Sequence, residues 1–262
     1  MKNILLTGST GFIGSNIINE LSKKYKIYCI VRNKNIRPKR NNVIDIYFNN
    51  YIKLNQKISK INFFAVIHCA THYKKLHAKK DVDKMIDSNI KLGNLILENK
   101  KILNCKKFIN LTTVWENYNG IKNNPSNLYS AYKLAFSNII KFYMKELNNL
   151  KFYNLYLSET FGVGDKRKKL FNTLKENYKK RKISRLVSKN IEVNLLNVKD
   201  ITLALKIILV KNIKPGNYSL INNKNFNIFK LITKFNYTYK KKILFKYYSN
   251  KIIKEKIFKF KK

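Results

Sequence analysis

In the stretch NLYSAYKLAF (residues 127–136), Tyr129 and Lys133 stand four positions apart. On a helix that spacing stacks both side chains on one face. An ammonium held beside a phenol lowers its pKa, which suits the phenol to giving and taking a proton. Yet the same Tyr-x-x-x-Lys spacing occurs five times, at Tyr118/Lys122, Tyr129/Lys133, Tyr178/Lys182, Tyr237/Lys241 and Tyr247/Lys251. Spacing alone does not select among them; the elements around each pair have to.

Apolar runs alternate with helical periodicity along most of the chain. KNILLT (2–7) reads as a buried strand, and 12–24 as a helix with Ile13, Ile17, Ile18 and Leu21 on one side. KIYCIVR (26–32) and VIDIYF (43–48) are further strands, and FFAVIHCA (63–70) is a strand followed by a loop and a helix over 83–99. KFINLTT (107–113) is another strand, 128–147 a long amphipathic helix, and 152–162 the next strand. Such alternation predicts an α/β fold built on a doubly wound parallel sheet. Beyond about residue 165 the pattern is less regular, with a helix near 168–181, a short strand near 191–196 and a helix from 200. The basic, aromatic tail from 238 reads as a solvated edge or helix. Of the five pairs, only Tyr129/Lys133 sits on a long amphipathic helix and follows a strand ending in Thr. Tyr118 precedes an Asn-Gly turn, which disfavours a helical arrangement with Lys122.

Three of the eight glycines fall within TGSTGFIG, at Gly8, Gly11 and Gly14, directly after the first strand and opening the first helix. Glycines there permit a tight turn, let backbone approach a diphosphate, and leave helix N–H groups aimed at it. Gly8, Thr10, Gly11, Phe12, Ile13 and Gly14 are therefore the expected dinucleotide contacts. In such folds an acidic residue ending the second strand binds the ribose hydroxyls and selects NAD. Here that strand ends in Val31, Arg32, Asn33 and Lys34. Arg32 suits a 2′-phosphate, so the expected cofactor is NADP or NAD, with NADP slightly favoured.

From TGSTGFIG onward the sequence resembles the extended short-chain dehydrogenase/reductases, the NAD-dependent epimerase/dehydratase family of nucleotide-sugar enzymes. The further landmarks are VIHCAT (66–71), Asn89 in DSNIKLGNLILE, FINLTT ending at Thr113, NPSNLYSAYK with Tyr129 and Lys133, ETFGVGDKRKKL (159–170) and NVKDITLAL (197–205). The match covers about residues 1–235. It implies a Rossmann-type dinucleotide-binding domain, taken as 1–165, and a small, partly interleaved C-terminal substrate lobe, taken as 166–262. It also implies that Ala70 and Asn89 lie along the cofactor and that Asp45 binds the adenine. Tyr129 would be the acid/base, its pKa lowered by Lys133 and by the positive charge of the oxidised nicotinamide; Lys133 would also hold the nicotinamide ribose, and Thr113 would bond the substrate oxygen. The implied substrate is a nucleotide sugar, and the implied assembly a homodimer.

Departures from the family narrow the chemistry. Its 4,6-dehydratases carry an Asp-Glu pair straight after the catalytic Thr, where this chain has Val114 and Trp115. The loop VWENYNG, with NPSNLYSAYK and the DKRKKL turn, looks most like CDP-abequose synthase-like 4-ketoreductases. Keto reduction at a sugar carbon is thus favoured over epimerisation. Trp115 and Tyr118 would either stack on sugar or base or pack within their loop, and Arg167 and Lys169 would either bind the substrate diphosphate or belong to a solvated basic face.

The balance of 55 basic against 14 acidic residues, +41 in all, would attract polyanions. Ile, Lys, Asn and Tyr, all with AT-rich codons, fill about half the chain, and there is no Arg-rich groove. Compositional drift explains the charge without a specific nucleic-acid partner. Cys29, Cys69 and Cys105 are single and set in apolar runs, as buried reduced thiols would be. His68 reads as core, and His72 and His77 lack the Cys, Asp or Glu neighbours of a metal site. With no leader-like h-region and no span of about 18 apolar residues, a cytoplasmic protein is expected. The competing readings are a non-catalytic dinucleotide sensor, for which an intact Thr113/Tyr129/Lys133 set is unnecessary, and a polyanion-binding protein.

Overall fold

The computed structural model describes residues 1–34, 38–74, 76–240 and 242–260. Its first strand, β1 (Lys2–Thr7), sends Ile4 and Leu6 into one apolar cluster and Leu5 into another. That alternation marks a strand covered on both faces. A Gly turn leads into α1 (Phe12–Leu21), followed by β2 (Tyr25–Val31), β3 (Val43–Tyr47), α2 (Tyr51–Ile58) and β4 (Ala65–His68). The helix expected over 83–99 runs without a break from 82 to 97, as α3 (Val82–Ile86), a π turn (Asp87–Lys91) and α4 (Leu92–Leu97). After α5 (Lys100–Leu103), β5 (Lys107–Thr113) leads through a loop to the long α6 (Leu128–Glu146), and β6 (Lys151–Leu157) follows.

The strand expected over 152–162 breaks at Ser158, and its second half, β7 (Glu159–Phe161), leaves the main sheet to pair elsewhere. The C-terminal part comprises α7 (Leu170–Lys179), β8 (Ser184–Leu186), β9 (Ile191–Val193), β10 (Leu195–Asn197) and α8 (Val198–Val210). It continues with β11 (Gly216–Leu220), β12 (Phe226–Asn227), α9 (Ile228–Tyr239), β13 (Phe245–Tyr247) and β14 (Ile253–Lys254).

Seven strands form one sheet in the order β11-β6-β5-β4-β1-β2-β3, every neighbouring pair parallel. The order reverses between β1 and β4, so a crevice opens at their carboxyl ends, where such sheets bind ligands. On one face Ile17, Ile18 and Leu21 of α1 pack with Ile201, Leu205 and Ile208 of α8. On the other, Leu54, Ile96, Phe136 and Ile140 come from α2, α4 and α6. A third, smaller cluster joins Leu174, Leu186, Ile228, Ile232 and Ile243 near the C-terminus.

Of the two forms its composition suggests, a solvated edge or a helix, the tail takes the edge beyond Tyr239, where α9 ends. β13 pairs with β8 and β14 with β9, and the chain then returns to the main sheet, with the Phe260 ring 4.4 Å from that of Tyr156. Edge pairing supplies the backbone bonds that a run without helical periodicity cannot make for itself. Among the described residues no helix is long and apolar enough to cross a membrane.

α4 and α6 meet at Gly93, where an added Cβ would fall 2.3 Å from the Phe136 ring. Gly93→Ala is expected to lower the unfolding free energy by about 1–3 kcal/mol in denaturant titrations. Adding Phe136→Leu should cost less in that background than alone, because the two sites share one space.

Candidate active site

The turn after β1 is shaped by how close its backbone comes to β4. Gly8 has φ +69°, and a Cβ there would sit 2.7 Å from Cys69 and Ala70 backbone atoms. At Gly14 a Cβ would lie 2.2 Å from the Gly8 carbonyl oxygen, so α1 starts against the turn itself. Gly11 is the N-cap of α1 and carries no capping side chain, and the first turn holds no acidic residue. Its N–H groups are left for an external acceptor, the arrangement that suits a phosphate. Ala70 N–H donates to Thr7 Oγ1 at 3.0 Å and holds the end of β4 beside the turn. Thr10 is exposed at the turn's tip.

A cavity of about 580 Å³ runs from this turn along the carboxyl edge of the sheet. Gly8, Gly11, Phe12, Ile13 and Gly14 line one end, and Thr113, Tyr129, Tyr73, Trp115, Arg167 and Lys169 line the other. The structure thus brings the turn, Thr113 and Tyr129 to one space. Lys133 is 2% exposed and donates to the Leu111 carbonyl at 3.0 Å. Asn127 caps α6 by accepting from Ser130 N–H at 3.0 Å, which sets where the helix begins. Tyr129 and Lys133 then fall in its first two turns, facing the sheet.

The rival pairs do not share that setting. Tyr118 and Tyr247 are exposed, Tyr178 lies near the end of α7, and Lys241 lies outside the described residues.

Burial governs the titration of both groups. It raises the Tyr129 phenol far above its usual range, opposed by a hydrogen bond with Thr71. It pulls the Lys133 ammonium down to about 8, opposed by the Glu116 carboxylate. The lowered phenol expected from the Tyr-x-x-x-Lys spacing is therefore not what the protein chain provides. Lys133 spends a proton on the Leu111 carbonyl, and Tyr129 is held in its acid form.

The remaining expected contacts divide. Arg32 donates to Asp87 and, at 3.3 Å, to Ser88 Oγ, and Asp87 also accepts from Tyr51. Asn89 is fully buried, accepts from Thr71 Oγ1 at 2.6 Å and donates to the His72 carbonyl at 3.1 Å. Its side chain is thereby committed to the loop after β4. Asp45 lies within β3 rather than at its end, outside the cavity lining. Arg167 grips both Asp165 oxygens at 2.7 and 2.8 Å, donates to the Thr160 carbonyl at 2.9 Å, and covers the Phe12 ring at 4.5 Å. Burial alone would raise the Asp165 carboxyl, but these Arg167 bonds hold it below its usual range. Lys169 bonds Glu159 at 2.9 Å and sits 5.6 and 5.5 Å from the Tyr73 and Trp115 ring centres.

Cys29 and Cys105 are buried, whereas Cys69 is half-buried and lines the cavity. His68 is fully buried against Thr7 Oγ1 at 3.0 Å, and burial drives its pKa down to about 3. Among the described residues no three His, Cys, Asp or Glu side chains are grouped as metal ligands.

Sequence reading missed Tyr73, whose ring meets Tyr129 edge-on at 5.0 Å and forms the cavity wall with Trp115. It also missed Glu116, which is fully buried behind the site. The one signal for Glu116 was a carboxylate three residues after Thr113 in an acid-poor chain; Tyr73 had none beyond its place after β4.

A model of the NAD dependent epimerase/dehydratase family matches residues 4–222, so the chain belongs to that family. It is 29% identical over 210 residues to a CDP-abequose synthase of Yersinia pseudotuberculosis, covering 79% of this chain and 72% of the relative. A CDP-abequose synthase of Salmonella muenchen is 28% identical over 171 residues, covering 64% of this chain and 57% of that protein. The fold is also that of a UDP-N-acetylglucosamine 4-epimerase from Methanobrevibacter ruminantium M1, with TM-score 0.80 at 18% identity over 98% of this chain and 89% of that one.

A near-ultraviolet difference titration of the wild type against Tyr129→Phe should show no phenolate from Tyr129 at pH 10, the ordinary tyrosine midpoint. A Tyr129-dependent phenolate half-formed at or below that pH would contradict the burial argument.

Proposed function

We propose, on the premise of this family membership, that the protein is an NAD(P)-dependent enzyme that reduces a keto group on the sugar of a nucleotide sugar. The observation that carries this reading is the convergence of the glycine turn, Thr113 and Tyr129 on one cavity, with Lys133 buried behind them. Support for reduction comes from burial, which keeps Tyr129 protonated and so ready to donate to a carbonyl oxygen. The identity with CDP-abequose synthases over 79% of the chain points the same way. The first carboxylate after Thr113 is Glu116, which is turned into the core and lines no part of the cavity. It is therefore not placed to eliminate water from a bound sugar.

The turn fits a dinucleotide, since its close approach leaves no room for a Cβ at Gly8 or Gly14 and its helix N–H groups are uncapped. When bound, a reduced nicotinamide supplies the hydride that adds to the sugar carbon. Tyr129 delivers its phenolic proton to the carbonyl oxygen as that carbon is reduced, and the product is the alcohol. Thr113 donates a hydrogen bond to the same oxygen and fixes its distance from the phenol. Lys133 stabilises the phenolate left behind and has further N–H groups for the nicotinamide ribose. Tyr73 and Trp115 offer ring faces to the sugar.

Arg32 keeps the preference for NADP in this reading, although Asp87 draws on its charge. The reading includes the division at residue 165 into cofactor and substrate lobes, a cytoplasmic location and a homodimer. The dimer would use α6, where Phe142 and Met144 are exposed.

The test is hydride exchange with CDP-, dTDP-, UDP- and GDP-linked 4-keto sugars, using NADPH and NADH. Turnover is expected with at least one of them, and Tyr129→Phe should lower kcat by about 10²–10⁴-fold. Near wild-type turnover in Tyr129→Phe would sink the assignment of the proton donor. Faster turnover with NADH than with NADPH would sink the role of Arg32.

A further inference from the structure

Glu116 has no solvent exposure, in a chain with only 14 acidic residues. Taking a carboxyl out of water is costly unless hydrogen bonds or a counter-charge offset it. Both are present. Oε1 accepts hydrogen bonds from Thr112 Oγ1 and, at 3.2 Å, from Ser137 Oγ. Thr112 precedes Thr113 on β5, and Ser137 lies one helical turn beyond Lys133 on α6. A single carboxyl oxygen therefore ties the strand end that carries Thr113 to the helix that carries Tyr129 and Lys133. The other oxygen, Oε2, is buried without a hydrogen bond among the described residues.

The groups that face this carboxyl come from three elements. Lys133, Ser137 and Lys141 belong to α6, Thr112 to β5, and Tyr156 to β6. Tyr129 also feels its charge, while His68 and Cys69 face Lys133 from the β4 side. Lys133 supplies the counter-charge, and the Glu116 carboxylate in turn favours the ammonium.

We propose that Glu116 is a positioning residue: it fixes the end of β5 against α6 and holds Lys133 in its charged form behind Tyr129. This rests on the reduction proposed above. The carboxyl touches neither the substrate nor the cofactor space, since it lines no part of the cavity. Its influence passes through Thr112 and Lys133. Burial pushes the Glu116 carboxyl up to about 7, against the hydrogen bonds from Thr112 and Ser137.

The sign of the effect follows. Removing the carboxylate removes the neighbour that favours the ammonium, so Lys133 loses its proton at a lower pH. Without that ammonium the phenolate left on Tyr129 is less stable, and reduction slows. In Glu116→Gln, which keeps the shape and an acceptor for Thr112, kcat should fall about tenfold, equivalent to about 1.4 kcal/mol. The alkaline limb of the kcat profile should move down by about one pH unit, with KM changed less than about twofold. Glu116→Leu, which also removes the acceptor for Thr112 and Ser137, should show the same limb shift and a larger kcat loss, with the fold intact by thermal unfolding.

Wild-type kcat and limb in either folded variant would overturn the proposal. So would failure of both variants to fold, which would assign Glu116 to stability alone. A second measurement needs no substrate: carboxyl ¹³C NMR of glutamate-labelled protein. It should show one carboxyl titrating near pH 7, absent from Glu116→Gln and moved to higher pH in Lys133→Met. A Glu116 signal unmoved by Lys133→Met would overturn the coupling. An absence of wild-type turnover with every nucleotide sugar would instead fall on the reading in the previous subsection, and the NMR result would stand apart from it.

Discussion

Holding the Lys133 ammonium at 2% exposure is the constraint around which the site is arranged. A buried cation must find acceptors or lose its proton. The fold meets this with the Leu111 carbonyl on β5, at 3.0 Å, and with the Glu116 carboxylate behind it. Both partners sit at the carboxyl edge of the sheet, so satisfying the charge also places α6 on that edge. Tyr129, one turn earlier on the same helix, is carried to the cavity by the same placement. Thr113, two residues beyond Leu111 at the end of the same strand, lines that cavity. The placement of Tyr129 and Lys133 thus follows from one charge.

Four of the 14 acidic side chains pair with or face basic groups named as candidates for the site. Asp87 holds Arg32, Asp165 holds Arg167, Glu159 holds Lys169, and Glu116 faces Lys133. In a chain of net charge +41, two of the basic groups that line the cavity, Arg167 and Lys169, are oriented by carboxylates. An unpaired lysine or arginine would sample many rotamers. The bulk of the positive charge, by contrast, lies on exposed lysines with no shared geometry, as compositional drift would leave it. Charge number and charge placement therefore carry different information about this protein.

Most of the fold was legible because continuous apolar runs, helical periodicity and turn residues act locally. KNILLT, VIHCAT and KFINLTT became buried parallel strands, and the glycines of TGSTGFIG became the turn against β4. The less legible parts depend on partners distant in sequence. β11 is half-buried throughout and joins the sheet through β6, some sixty residues earlier. The tail pairs with β8 and β9 across a similar distance. Nothing in GNYSL or in the Lys-rich tail announces those neighbours. Asn89 shows the same gap at a single residue: its place in the chain was read, but its commitment to Thr71 and His72 needed the loop's path.

The sequence by itself determined the alternation of strands and helices, the glycine turn and its place before α1, and the family to which these motifs belong. It did not distinguish Tyr129/Lys133 by spacing, since five pairs share it. Its context did, a long amphipathic helix after a strand ending in Thr; tertiary structure decided the burial that puts this pair under desolvation. Burial also reversed the expected titration of the phenol, raising it where spacing alone implied lowering. Desolvation is a property of everything packed around a group, and no local stretch of sequence contains it.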